Sequence, residues 1–307
     1  MRFDPNPDQK AFLSVLEQMM TAPEAAWRTS PDWSRHVWSG DLDAMIESSG
    51  FLDCALEETL GLSAAAAMTY RLASLPALVE CAASSMLRPQ WTVDLPRPVA
   101  VLEQGRDHAA PFLPVARSVI FIGEGAIEAA TLEHGDVEML ESLYAYPMGR
   151  LRDSARLGWR RLDGDPERAR RIWRVALAAE LAGVLKGGLD AIVAHVSQRH
   201  QFGRPLGSFQ TIQHRLAGAA VRIDAAYWLA VKAAQTLDGA DAATALGYIQ
   251  EASTKIVFDL HQFMGAMGLT LEHPLHRWTY RARLLRASMG GGSGNMRRLF
   301  AERWAAA

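Results

Sequence analysis

From Asp163-Gly164-Asp165-Pro166 onward the sequence carries helix signals almost without interruption to residue 307, and this constrains the fold more than any other feature. Asp165 stands where a helix takes a capping carboxylate, and Pro166 where it tolerates a residue without an N–H. The spacing predicts long helices near 166–199, 208–237, 241–265 and 278–289, with a last one after 294. The breaks fall at Phe202-Gly203-Arg204-Pro205-Leu206-Gly207 and Gly290-Gly291-Gly292-Ser293-Gly294. Long helices joined by short connections bury their apolar faces most simply as a four-helix bundle.

The chain upstream has a different character. Residues 8–21 put Phe12, Val15, Leu16 and Met19 on one helical face, and Ala64–Leu87 reads as a second helix. Between Arg88 and about Arg161, Pro96, Pro98, Pro111, Pro114 and Pro147 alternate with β-rich runs such as Val99–Leu102 and Ser118–Ile122. The expected class is mainly α with a small β module. The expected units are an N-terminal helical domain over 1–88, a middle β domain over 89–162 and the C-terminal bundle over 163–307.

With 307 residues the chain is long enough for a substantial core, and its 32 basic and 34 acidic residues leave a net charge of −2. No whole-protein field therefore points to nucleic acid or to an anionic membrane. Cys54 and Cys81 are too few for a disulfide framework and read as buried thiols of a reducing compartment. The first residues lack a signal-peptide layout, and Arg174, Glu180 and Lys186 interrupt the most apolar late stretch, so a cytoplasmic protein without membrane spans is expected.

Arg199-His200-Gln201-Phe202-Gly203-Arg204-Pro205-Leu206-Gly207-Ser208-Phe209-Gln210 joins two of the expected helices and combines two arginines with two glutamines. Guanidinium forks suit a diphosphate and amides suit an adenine or ribose edge; a plain helix–helix turn with a solvated rim fits the composition as well. Arginines at 277, 281, 283, 286, 297 and 298 lie in an acid-free stretch that suits coenzyme phosphates or simply water. The glycine run opens a helix and allows close approach of a flat cofactor or an anion, but it lacks a P-loop ending, and Gly123-Glu124-Gly125 does not continue into a dinucleotide fingerprint. His273 and His276 have ligand spacing without an evident third ligand, so no metal is expected. No Gly-x-Ser-x-Gly elbow supports hydrolytic covalent catalysis.

Taken together, Arg199–Gln213 and His261-Gln262-Phe263-Met264-Gly265-Ala266-Met267-Gly268-Leu269-Thr270-Leu271-Glu272-His273 resemble the acyl-CoA dehydrogenase family, strongly from about Glu167 to Trp304. The resemblance implies a shortened N-terminal domain, a reduced β domain and an oligomer built through the bundle. It implies FAD contacts at Arg199, Phe202, Gln210 and Gln262, the last reaching the FAD of a neighbouring subunit, and at Ala266, which replaces a family glycine. Gly291 and Gly292 are the further candidates for cofactor contact, and Arg174 matches the arginine beside the acyl-CoA site.

The family removes the α-proton of the thioester with a carboxylate while the β-hydrogen leaves as hydride to the flavin. Its two base locations fall here on Trp173 and on Gly290, or Met289 with the gap placed differently, none of which accepts a proton. Glu180, seven residues from Trp173, lies about 10 Å along the helix and is expected to be structural. The pattern resembles the short subunits of heteromeric α2β2 acyl-CoA dehydrogenases that shorten bacterial steroid side chains. It implies a subunit without its own catalytic carboxylate that completes a shared FAD site with a full-length, base-bearing partner, acts on an acyl-CoA and passes electrons to an electron-transfer flavoprotein. The alternatives are an active homomer whose base is relocated, with Glu124, Glu128 and Glu272 as candidates, and a flavin-free CoA-binding protein.

Overall fold

The computed structural model describes residues 4–21, 36 and 38–304, so parts of the expected 1–88 and 163–307 units lie outside the described residues. The order is helical, β, helical. α1 (Pro7–Thr21), α2 (Gly40–Ser48) and α3 (Gly61–Ala73) precede a strand-rich segment, which is followed by α4 (Pro166–Gln198), α5 (Gln210–Thr236), α6 (Gly239–Met264), α7 (Leu275–Leu285) and α8 (Gly291–Trp304).

α4 is the centre of the molecule. Its N-cap is Asp165, whose carboxylate accepts from the backbone N–H of Glu167 at 2.9 Å and of Arg168 at 3.2 Å, with Pro166 in the first turn. Every residue from Ile172 to Leu185 is buried, the mark of a helix covered on all sides. α5 and α6 pack along it, α7 crosses it, and α8 packs on α6. α3 comes closest, because Gly183 and Gly187 leave room for the carbonyls of Tyr70 and Ser74, which a Cβ at either glycine would strike.

The β module contains β1 (Val99–Leu102), β2 (Ala110–Pro111), β3 (Ser118–Ile122), β4 (Ile127–Thr131), β5 (Val137–Leu140), β6 (Met148–Leu151) and β7 (Arg160–Leu162). One sheet has the order β1-β3-β4-β7, with β1 parallel to β3 and the rest antiparallel; a second, antiparallel, has the order β2-β6-β5. The two-residue period of a strand sends Val99, Val101, Ile120, Ile122, Ile127 and Ala129 into the core shared with α4. Ala100, Leu102, Val119 and Ala130 point the other way, into a smaller core of the module itself. Both faces of β1 are covered, which explains its uninterrupted Val-Ala-Val-Leu.

Two expectations change. Ala64–Leu87 is not one helix: α3 stops at Ala73, and after a Ser74–Val79 turn region Ala83–Leu87 winds as a single π-turn. There Glu80 takes up the free N–H groups of Ala83 and Ser84, and Arg281 takes the carbonyl of Leu75, so tertiary partners satisfy the broken backbone. The last helix begins at Gly291, not after 294, because the chain reverses within Met289 (φ 52°), Gly290 (φ 81°) and Gly291 (φ 68°). Cys54 and Cys81 are buried free thiols as expected. Among the described residues no helix is long and apolar enough to cross a membrane.

Candidate active site

The main cavity, of about 160 Å³, lies between β1, the N-terminal half of α4 and the turn that joins α7 to α8. One water needs roughly 10–15 Å³ on this measure, so there is room for a short acyl chain. Val99, Val101, Phe112, Leu177 and Leu285 supply apolar walls, and Glu80, Glu103, Glu180, Tyr146 and Trp173 supply the polar or aromatic groups.

Trp173 and Met289, two positions that the resemblance gives for the family base, meet at one carboxylate here. Trp173 Nε1 donates to Glu103 Oε1 at 2.6 Å, and the backbone N–H of Met289 donates to Glu103 Oε2 at 2.8 Å. Glu103 follows the last residue of β1, and burial pushes its carboxyl above the ordinary value against the opposing effects of these two donors and of Arg174. The reading of residues one at a time missed Glu103; the β-rich run ending at Leu102 was its only local signal.

Arg174 is buried on the other side of Trp173, and its Nε donates to Asn295 Oδ1 at 3.1 Å. Asn295 Nδ2 donates to the carbonyl of Gly291 and to Gln250 Oε1, and Gln250 donates to the carbonyls of Leu285 and Ser288. This chain of bonds fixes the start of α8, with Gly291 and Gly292, against α4. Burial, and then Arg298, hold the Arg174 guanidinium below its ordinary value.

Glu180, expected to be structural, also lines the cavity. It accepts from the Tyr146 hydroxyl at 2.7 Å, and burial raises its carboxyl to about 7 despite Tyr146 and Arg281. Glu80 is spent on the module itself, accepting from the N–H groups of Ala83, Ser84 and Val99. None of the other carboxylates weighed for a relocated base lines the cavity: Glu128 pairs with Arg106, and Glu124 and Glu272 are exposed. Among the described residues no cluster of three His, Cys, Asp or Glu forms a metal site.

The remaining candidates gather at the opposite end of α4. Arg199 caps its C-terminus, Phe202 lies in the tight hairpin of β8 (His200–Gln201) and β9 (Arg204–Pro205), Gln210 opens α5, and Gln262 and Ala266 lie at the end of α6 and in the turn after it. All five are exposed, Phe202 by 88%. The side chains of Arg199, Gln210 and Gln262 make no hydrogen bond or ion pair among the described residues. Phe202 holds φ at 54°, a strained value for an aromatic residue facing water. A cation and two amides without partners among the described residues, with the exposed Phe202 ring edge-on to Phe209, suit a flavin nucleotide's diphosphate and adenosine.

Residues 171–305 match the model of the acyl-CoA dehydrogenase C-terminal domain. The C-terminal half belongs to the acyl-CoA dehydrogenase family. It is 34% identical over 147 residues to acyl-CoA dehydrogenase FadE34 of Mycobacterium tuberculosis, covering 46% of this chain and 21% of that protein. To acyl-CoA dehydrogenase IpdE2 of Mycolicibacterium smegmatis it is 33% identical over 126 residues, covering 41% and 40%. The chain thus spans well under half the length of these curated relatives. The acyl-CoA dehydrogenase fold extends over the whole chain: a variant of the Tcur3481-Tcur3483 steroid ACAD superposes with a TM-score of 0.75 at 21% identity, covering 98% of this chain and 99% of that one. The ChsE4-ChsE5 complex from Mycobacterium tuberculosis superposes at 0.74 with 18% identity and 98% coverage of both chains.

Proposed function

We propose that this chain is a subunit of an FAD-dependent acyl-CoA dehydrogenase that introduces an α,β double bond into an acyl-CoA thioester. The FAD is shared between chains. The observation that carries this reading is the separation of the two candidate clusters along α4. Arg174, beside the cavity, and Arg199, the C-cap of the same helix, are 25 residues apart, about 38 Å by helix rise, and none of the residues of the Arg199 cluster lines this chain's own cavity.

The far cluster therefore faces a flavin outside this chain's own cavity. Arg199, Gln210 and Gln262, unpartnered among the described residues, together with the exposed Phe202 and Ala266, face the FAD of a neighbouring, full-length subunit that carries the family carboxylate. Gly291 and Gly292 open α8 just after the turn whose Ala287 and Ser288 line this chain's own cavity. Bound FAD supplies the hydride acceptor. Arg174 orients the coenzyme-bearing end of the substrate, and the apolar walls exclude water from the acyl chain. Electrons leave to an electron-transfer flavoprotein. The names of the two structural neighbours support an assembly of unlike chains and a steroid side-chain CoA ester as substrate.

Co-expression with the neighbouring gene product tests this reading. The expected outcome is a yellow complex of unlike chains in equal number that oxidises a member of a panel of steroid and straight-chain CoA thioesters. A stable, flavin-loaded and active homo-oligomer of this chain alone would overturn the shared assembly. A colourless complex in excess FAD would overturn the flavin itself.

A further inference from the structure

The cavity of this chain would be without a proton acceptor if only the two family base positions counted. Those positions come from separate segments, Trp173 from α4 and Met289–Gly290 from the turn before α8, and a single carboxylate touches both. We infer that Glu103, delivered by β1 and not by the bundle, takes the α-proton of an acyl thioester seated in this chain's own cavity. The inference rests on the acyl-CoA reading above and extends it, because it gives the chain a working pocket of its own.

The geometry meets what a base requires. Glu103 directly follows a strand whose register is pinned by pairing to β3, with Leu102 opposite Phe121, so the backbone that presents the carboxylate is anchored on its N-terminal side. Two N–H donors, one on each oxygen, fix the plane of the group and leave further lone pairs for the cavity that it lines. The other cavity acids are committed elsewhere: Glu80 to backbone N–H groups, and Glu180 to Tyr146, about 10 Å along α4 from Trp173. Burial raises the Glu103 carboxyl above its ordinary value, which makes the carboxylate a stronger base.

In the step, the Cα–H bond breaks and its proton passes to Glu103. The electron pair forms the Cα=Cβ bond as the β-hydrogen departs as hydride to flavin, the oxidant of the proposed reaction. The proton later leaves to water when product dissociates.

The test separates proton transfer from redox turnover. The probe is 3-thiahexanoyl-CoA, whose α-protons are acidified by sulfur and whose β position cannot yield hydride; exchange of its α-protons in D2O is followed by NMR with the flavin-loaded protein, alone and co-purified, and its binding by calorimetry. The expected result is exchange in the wild type, a loss of 100-fold or more in Glu103→Gln with analogue affinity within threefold, and partial retention in Glu103→Asp. Binding of the analogue with equal exchange in wild type and Glu103→Gln, or with none in either, would overturn the role of Glu103 and leave the acyl-CoA reading intact. Failure of the wild type to bind the analogue at all would overturn both.

Discussion

The indole of Trp173 and the carboxylate of Glu103 are joined by a 2.6 Å hydrogen bond across the boundary between bundle and β module. An indole at this position cannot take a proton, but it can aim a group that does. The carboxylate that α4 meets at this position comes from 70 residues earlier in the chain.

Glu180 makes stability depend on pH. Its carboxyl is raised from 4.5 to about 7, chiefly by burial, so the folded state binds the proton more tightly than the unfolded chain. Stability from this group is full below pH 4.5, falls as pH rises to about 7 and is level above, a change on the order of 3 kcal/mol. Denaturant melts of wild type and Glu180→Gln between pH 4.5 and 8 should show this share of the slope vanish in the variant.

Gly183→Ala sets helix propensity against packing. Alanine favours a helix by about 1 kcal/mol over glycine. Its Cβ would meet the Tyr70 carbonyl, which belongs to α3 and cannot turn aside as a side chain would. Overpacking wins, and the variant should lose about 2 kcal/mol or more in urea denaturation.

Asn295 is fully buried and bonds Arg174, Gln250 and the carbonyl of Gly291. Asn295→Ala leaves a guanidinium N–H and a buried amide oxygen without partners. The expected cost is about 3 kcal/mol in chemical denaturation, together with weaker acyl-CoA binding as Arg174 and the α8 turn lose their register.

Arg199→Ala should behave in the opposite way. The side chain is exposed and makes no hydrogen bond or ion pair among the described residues, so stability should change by less than about 0.5 kcal/mol. Loss of a charged contact to a diphosphate weakens binding roughly 10- to 100-fold, and flavin content of the co-purified complex should fall accordingly on gel filtration.

Much of the bundle was legible locally. Asp165 and Pro166 mark the start of α4 and the Phe202–Gly207 break marks its end, because caps and turns act through neighbours in sequence. The Ala64–Leu87 stretch was misread for the same reason: apolar periodicity runs on through Ser74–Val79, while the partners that break it, Trp278 and Arg281, lie some 200 residues away.

By itself the sequence determined the helical, β, helical order, the absence of an acid at Trp173 and Met289–Gly290, and the arginine- and glutamine-bearing segment that begins at Arg199. Those follow from periodicity, from residue identity and from the turn residues between helices. Only the tertiary structure decided which acids face the cavity. Glu103 and Glu180 are raised and oriented by burial and by donors from distant segments, and desolvation is a property of packed volume that no local pattern encodes.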